Sequence, residues 1–200
     1  MENWNELLLV AASSLLTFVV SNGKEIKNIV FDWFKNASSS VKKMDEVYNI
    51  IWSANVNCDK ISRVAVLRAG NGGSKPTLGK VMKATMLYNS YDSPARNRRL
   101  DYQGIPLDRD YIEMLSDVID GGVAKVIVSE ERDSLLNNLY LSEGIKYSEV
   151  YHLRSTNKYI YYVSFSTILK SEFFENAETK NQINIALGKL KNIFENNRID

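Results

Sequence analysis

The chain has 200 residues, of which 44% are hydrophobic, and a formal net charge of +1. This composition suits one packed domain with additional helix, and its charge gives no support for a protein that coats nucleic acid. The single cysteine, Cys58, excludes an internal disulfide framework, and the single histidine, His152, excludes a multi-histidine metal site. No pattern for a metal or a cofactor is present, so no cofactor is expected.

Residues 1–23 are predicted to form a hydrophobic N-terminal helix. Residues 7–23 carry no charge, and Glu2 and Glu6 stand where a secretory signal would carry cations. The apolar stretch has the minimum length for a membrane span, and lysines follow it but do not precede it, which predicts a cytoplasmic C-terminal part. The alternatives are a helix buried in a bundle between copies of the chain and a segment removed by cleavage. The apolar residues of this membrane or bundle helix include Leu7, Leu8, Leu9, Leu15, Leu16, Phe18 and Val19.

Residues 24–55 are predicted to form a long amphipathic connecting helix. Ser38–Ser40 mark its expected weak point. The apolar stripe requires a partner, which is the following domain, a second copy of the helix, or both. Its residues recur at steps of three and four and are Ile26, Val30, Trp33, Ala37, Val41, Met44, Tyr48 and Ile51.

Residues 56–200 are predicted to form an α+β domain, because the period of the apolar pattern changes to two after Ile61. The predicted order after the connecting helix is β, β, helix, β, helix, β, β, helix. This order favours a mostly antiparallel sheet with helices packed on one face, and the first and last helices are expected to pair there. The predicted elements are strands 61–70 and 80–91, a helix 105–120 with Pro106 in its first turn, a strand 124–131, a helix capped by Asp133 and Gly144, a hairpin 147–167 and a helix 178–197.

Residues 44–194 resemble a GAF domain, most specifically in the strand that begins at Arg63. Bacteriophage-encoded GAF-like proteins carry a strand with two arginines followed by His-Asn-Gly-Gly, and many have an N-terminal hydrophobic helix. The matching residues here are Arg63, Arg68, Asn71, Gly72 and Gly73, whereas Gly70 stands in place of the histidine. The resemblance implies a domain that binds a small molecule or dimerises without one. The chain lacks the motif of cyclic-nucleotide binders, and Cys58 is not in a chromophore-attachment context.

The candidate ligand-binding residues are Arg68, Asn71, Gly72, Gly73, His152 and Arg154. The Asn-Gly-Gly corner has two interpretations: a turn between strands, or a nest of backbone amides that binds an anion beside Arg68. It is not a P-loop, because no lysine followed by serine or threonine stands at the required spacing after the second glycine. His152 and Arg154 lie in a predicted strand and could line a pocket.

The function expected from these features is a non-enzymatic GAF-like binding or regulatory module. Catalysis is not expected, because general acid–base chemistry needs positioned carboxylates or a histidine in a cleft. The protein is expected to be phage-encoded, anchored at the cytoplasmic face of a membrane, and self-associated through its N-terminal helices. A small-molecule ligand is compatible with this function but unidentified, and no nucleic acid is expected. The alternative is a structural component of a virion or another large assembly with bundled N-terminal helices.

Overall fold

The computed structural model describes residue 27 and residues 37–71, 81–91 and 99–196. The chain separates into two compact units, Met1–Asp45 and Glu46–Asp200. Helix α1 covers residues 37–56 and includes the serines at which a weak point was predicted. The predicted hydrophobic helix of residues 1–23, together with Gly72 and Gly73, lies outside the described residues.

The second unit is built on one six-stranded sheet in the order β3–β2–β1–β6–β5–β4. Every neighbouring pair is antiparallel, as the sequence predicts. The first hairpin, β1–β2, therefore joins the last, β5–β6, at the centre of the sheet. The strands are β1 (Arg63–Gly70), β2 (Lys83–Tyr91), β3 (Gln103–Pro106), β4 (Val123–Ile127), β5 (Tyr147–Ser155) and β6 (Tyr159–Thr167).

Helices cover both faces of this sheet, so the prediction of helices on one face is wrong. Buried residues of α1 and α4 pack on one face, called the α1–α4 face, and confirm that the first and last helices share a core. Buried residues of α2 and α3 form a second core on the other face, called the α2–α3 face. The later helices are α2 (Arg109–Gly121), α3 (Leu135–Ser142) and α4 (Ala177–Asn196), with 3₁₀ turns at Arg99–Tyr102 and Ser171–Glu175.

The boundaries of α2 and α3 differ from the prediction because capping side chains set them. Pro106 ends β3, and α2 begins at Arg109 after its N-cap, Asp108. One carboxylate oxygen of Asp108 accepts a hydrogen bond from the Tyr111 amide at 2.9 Å, and the other accepts from the Leu135 amide at 2.6 Å. Asp108 therefore ties the first turns of both helices together. The N-cap of α3 is the neighbouring Ser134, where Asp133 was predicted, and its C-cap is Glu143, one residue before the predicted Gly144.

Candidate functional site

A charged pair, Arg63 and Glu143, lies almost completely buried on the α2–α3 face of the sheet. Arg63 opens β1, and its side chain shares the α2–α3 face with Ala65 and Leu67 because strand side chains alternate. Its Nη1 donates to Oε2 of Glu143, the residue that ends α3. The two side chains are 3% and 1% exposed. A pair so deeply buried loses hydration that only good geometry and further hydrogen bonds can offset.

Two tyrosines, Tyr102 and Tyr140, also contact the Arg63–Glu143 pair. Tyr102 Oη donates to Oε1 of Glu143 at 2.5 Å and accepts from Nη1 of Arg63 at 3.2 Å. The guanidinium carbon lies 5.5 Å from the ring centroid of Tyr102 and 5.1 Å from that of Tyr140. Burial raises the pKa of Tyr102 well above its usual range, with Glu143 adding to the shift and Arg63 opposing it. The Tyr102 hydroxyl therefore stays protonated and remains a donor to the carboxylate.

Serine hydroxyls of β5 and β6 extend this group of polar side chains on the α2–α3 face. Ser164 Oγ lies 3.1 Å from Tyr140 Oη and 2.8 Å from Ser148 Oγ. Ser166 Oγ donates to Ser148 Oγ at 3.1 Å and accepts from Nη2 of Arg63 at 3.4 Å. We call these seven residues the Arg63 cluster: Arg63, Tyr102, Tyr140, Glu143, Ser148, Ser164 and Ser166.

One donor of the Arg63 cluster has no acceptor. The Nε–H of Arg63 is buried and lacks a hydrogen-bond partner among the described residues. Burial disfavours the cation, but Tyr102 and Glu143 outweigh it and raise the pKa of Arg63, so this group remains charged and its Nε–H available. Chemically, the cluster can donate to one further oxygen, and its hydroxyls can reorient as donors or acceptors.

The two arginines predicted from the sequence lie on the opposite, α1–α4 face. Arg154 stands opposite Tyr161 in the β5–β6 register, and Tyr161 stands opposite Arg68 in β1, so the two cations flank β6. The guanidinium of Arg68 stacks 4.6 Å from the Tyr159 ring centroid. Nη1 of Arg154 donates to the Phe194 carbonyl at 2.7 Å, near the end of α4. Both arginines thus make internal contacts that stabilise the fold.

The remaining predicted residues are placed around the same end of the sheet. Asn71 follows β1 directly, and His152 lies in β5 with Nε2 2.9 Å from Ser155 Oγ. Partial burial lowers the pKa of His152, and Lys191 adds to that effect. A surface depression of about 460 Å³ is lined by residues 154–158 of the β5–β6 turn, Arg154 included. Ligand binding at these residues stays a prediction.

The glycine that replaces the expected histidine has a packing reason. A Cβ at Gly70 would lie 2.7 Å from the Lys158 carbonyl oxygen and 2.6 Å from Cδ1 of Tyr159. No side chain fits so close to the neighbouring backbone without a shift of β1 or β6. The close approach of these two strands therefore requires glycine at this position.

The Arg63 cluster was not predicted as a site from the sequence, although the sequence indicates that Arg63 itself is buried. Arg63 shares strand alternation with Ala65, Leu67 and Ala69, and a cation in an otherwise apolar row indicates a buried partner. Its partner Glu143 is 80 residues away along the chain. Only the closed sheet brings the two together, so the pair itself was not predictable from spacing.

The fold was compared with known proteins. No protein-family model and no curated protein sequence matches the chain. Among solved structures, the GAF domain of a two-component sensor histidine kinase from Bacillus halodurans is similar, with a TM-score of 0.52 and 11% identity over 76% of this chain and 93% of that one.

Two light-sensing proteins are similar at the same level. A far-red cyanobacteriochrome photoreceptor has a TM-score of 0.53 and 10% identity, over 87% of this chain and 96% of its own. The phycoerythrobilin-bound GAF domain of a cyanobacterial phytochrome has a TM-score of 0.50 and 12% identity, over 78% and 87%. Identities this low establish the fold alone. The chain has the fold of a GAF domain.

Proposed function

We propose that this protein is a non-enzymatic regulatory module that binds a small molecule through the Arg63 cluster. GAF domains are small-molecule-binding and regulatory modules. The observation that carries the proposal is the buried, unpartnered Nε–H of Arg63. A buried donor without an acceptor costs about 1–3 kcal/mol, and a ligand oxygen at this position recovers that cost.

The chemistry of the cluster defines the ligand class. An arginine fork binds the paired oxygens of carboxylate or phosphate groups. Glu143 already neutralises Arg63 through Nη1, so an anionic ligand that engages the fork, and not Nε–H alone, must compete with this carboxylate for the guanidinium. The ligand class is therefore a small molecule that bears a compact oxyanion.

Competition with Glu143 also explains how binding is signalled. The Arg63–Glu143 pair holds the C-terminal end of α3 against the sheet, and Gly144 follows with a φ of 74°. Displacement of the carboxylate releases that end of α3 from the sheet. The backbone can then rotate at Gly144, because glycine has wide conformational freedom. Occupancy of the Arg63 cluster is thereby converted into a change in α3.

The test compares two arginines of the same strand. Titration calorimetry with nitrate, phosphate and acetate is performed on the wild type, on Arg63→Lys and on the matched control Arg68→Lys. Lysine keeps the charge but removes the Nε–H and the fork, so binding is expected to be lost in Arg63→Lys and kept in Arg68→Lys. Loss in Arg68→Lys alone places the ligand beside Asn71 instead, and absence of binding to the wild type refutes the proposal.

The cellular setting is also a proposal. The apolar sequence of residues 1–23 and the lysines after it support anchoring at the cytoplasmic face of a membrane. The resemblance in the sequence from Arg63 to Gly73 supports a bacteriophage gene. Within the described residues, no helix combines the length and apolar character needed to cross a membrane. Fractionation is the test: full-length protein that stays in the supernatant without detergent refutes the anchor.

A second candidate function is a structural role in a large assembly. Three apolar side chains of α1 at four-residue steps favour it: Tyr48, Trp52 and Val56 are 37%, 60% and 58% exposed. Such a stripe on one helix face is suited to pairing with a second copy. Mass measurement of the full chain in detergent separates the candidates, because a ring or particle of fixed high order supports assembly and a monomer or dimer supports the regulatory module.

A further inference from the structure

The outer edge of β4 is open. β4 is the last strand in the order of the sheet, and only β5 pairs with it among the described strands. Just beyond its two ends, the Gly122 carbonyl accepts from the His152 amide of β5, and the Val128 amide donates to the carbonyl of Lys146, the residue before β5. Backbone groups alternate in direction along an antiparallel strand, so Ala124 and Val126 bond to β5 as well. The residues whose backbone groups point away from β5 are Val123, Lys125 and Ile127.

A groove runs beside this edge on the α2–α3 face. Its volume is about 160 Å³, and four consecutive residues of β4, 124–127, form one wall. Sites for drug-sized molecules occupy roughly 300–1,000 Å³, so this groove is too small to enclose such a ligand. Four of its twelve lining residues are consecutive in β4, which suits an extended chain that lies along the edge.

The opposite wall of the groove is acidic. Asp110, Glu113 and Asp117 line it from α2, where steps of three and four place them on one helix face. Arg132 lies 2.9 Å from Asp110 and Arg109 lies 2.7 Å from Glu113, whereas no described cation pairs with Asp117.

The surrounding sequence extends this negative field. Residues 108–133 contain eight carboxylates and three cations, a net charge of −5, although the whole chain carries +1. The charged residues that line the groove itself are Asp110, Glu113, Asp117, Lys125 and Arg132, a net charge of −1. The attraction for a segment of positive charge therefore comes mainly from the surrounding acidic stretch.

The other side of β4 is mixed in character. Val123 and Ile127 are 37% and 66% exposed on this side, around Lys125, whose ammonium lies 3.7 Å from Glu175. An added strand would place alternate side chains towards the acidic wall and towards these two apolar residues. The segment that fits therefore alternates basic and apolar residues.

We propose that the outer edge of β4 is a docking site for an extended segment of a partner protein, rich in lysine or arginine, which joins the sheet as a seventh strand. Backbone hydrogen bonds to the edge supply affinity, and the acidic wall supplies selectivity. A second copy of β4 fits poorly, because antiparallel pairing about the strand centre sets Lys125 opposite the same lysine. The two acidic helices α2 would also approach each other across that pairing.

The binding experiment uses three fluorescent synthetic heptapeptides. The test peptide alternates lysine and valine, a second replaces each lysine by glutamate, and a third has the lysine peptide's sequence with proline at its centre. The full-length protein is titrated in fluorescence anisotropy at low and high salt. We expect the lysine peptide to bind at least tenfold more tightly than either other peptide, and salt to weaken its binding.

Two substitutions at one position isolate the backbone contribution. Lys125→Pro removes an amide that points away from β5, so the native sheet keeps its own hydrogen bonds. Lys125→Ala removes the same side chain and the same ion pair but keeps the amide. We expect Lys125→Pro to bind the lysine peptide at least tenfold more weakly than Lys125→Ala.

Charge variants isolate the acidic wall. Asp117→Asn is expected to weaken binding about two- to fivefold, as for an exposed ion pair. The control Glu46→Gln, at an exposed position of α1, is expected to leave binding unchanged. Equal binding of the three peptides, or of the two Lys125 variants, overturns the proposal. A concentration-dependent dimer that only Lys125→Pro abolishes also overturns it, because the edge then belongs to a second copy.

Discussion

Among the residues that the structure describes, each face of the sheet buries one carboxylate, and the two are satisfied to different degrees. On the α1–α4 face, Glu149 accepts from Tyr147 at 3.0 Å, from Tyr151 and from Lys180 at 2.6 Å. On the α2–α3 face, Glu143 accepts from Tyr102 and Arg63. Both carboxylates attach a helix to the sheet.

The two pairs differ in how far their cations are exposed to water. Lys180 is 34% exposed, so its ammonium remains partly hydrated when the carboxylate is removed. Arg63 is enclosed and keeps one donor unused. The pair with the partly hydrated lysine attaches a helix to the sheet, whereas the enclosed pair with an unused donor is the one that we propose binds a ligand. The following substitutions test this difference, from the largest expected effect to the smallest.

Glu143→Gln is expected to cost the most stability. It leaves the Arg63 cation enclosed without a counter-charge, and loss of one partner of a buried pair costs about 3–5 kcal/mol. Guanidinium denaturation measures the free energy of unfolding. The double variant Arg63→Met, Glu143→Leu should recover most of the loss, because it removes both charges, and a single-variant cost below about 1 kcal/mol would contradict the enclosed state of Arg63.

Glu149→Gln is expected to cost less, about 1–3 kcal/mol, as for a disrupted buried hydrogen-bond network, because water can solvate Lys180. Lys180 and the two tyrosine hydroxyls outweigh burial, which alone would raise the pKa, and hold the pKa of Glu149 below its usual range. Its contribution is therefore complete above the ordinary glutamate pKa, about 4.3, and is lost as the pH falls through the folded value.

The measurement for Glu149 is urea denaturation of wild type and variant from pH 7 to pH 3. Their difference in unfolding free energy should shrink as the pH falls below about 4. A difference that stays constant over this range would show that the charge of Glu149 does not contribute.

His152→Gln is expected to have the smallest effect, about 0.5 kcal/mol or less at neutral pH. Burial and Lys191 lower the pKa of His152 in the folded protein, so the unfolded chain takes up its proton first as the pH falls through about 6.5. Wild-type stability should therefore decline between pH 7 and pH 5. The variant should have a flatter profile of melting temperature against pH, and an identical profile would exclude this histidine as the cause.

Five of the six strands, and the shared core of the first and last helices, were predictable because local periodicity indicates them. The exception is β3, which was not predicted because its four residues are too few to show a period. The apolar alternation in residues 61–70 and 147–167 marks strands, and a stripe such as Ile183, Leu187 and Leu190 marks a helix with one buried face. An apolar stripe does not indicate which face of the sheet a helix packs against. The prediction that all helices pack on one face was therefore wrong for α2 and α3.

The candidate site was less predictable because its partners meet only in three dimensions. Glu143 reads as an ordinary charge at a helix end, and only the register of β1 against β6 brings Arg63 beneath it. The position of β4 at the outer edge of the sheet was also not predictable from the sequence, because periodicity predicts a strand but not its place in the sheet. Asp108 illustrates a third limit, because its bond to the Leu135 amide joins residues that are 27 positions apart and local sequence patterns do not predict such a contact.

The pairing of β1 with β6 has a consequence for biosynthesis. Arg63 faces Ser166, 103 residues later in the chain, so a growing polypeptide exposes one side of its central strand until almost the whole domain has left the ribosome. Contacts of such long range slow folding and leave strand edges open to aggregation. Nascent chains halted before Tyr159 should therefore engage chaperones strongly, and chains extended beyond Thr167 should be released from them.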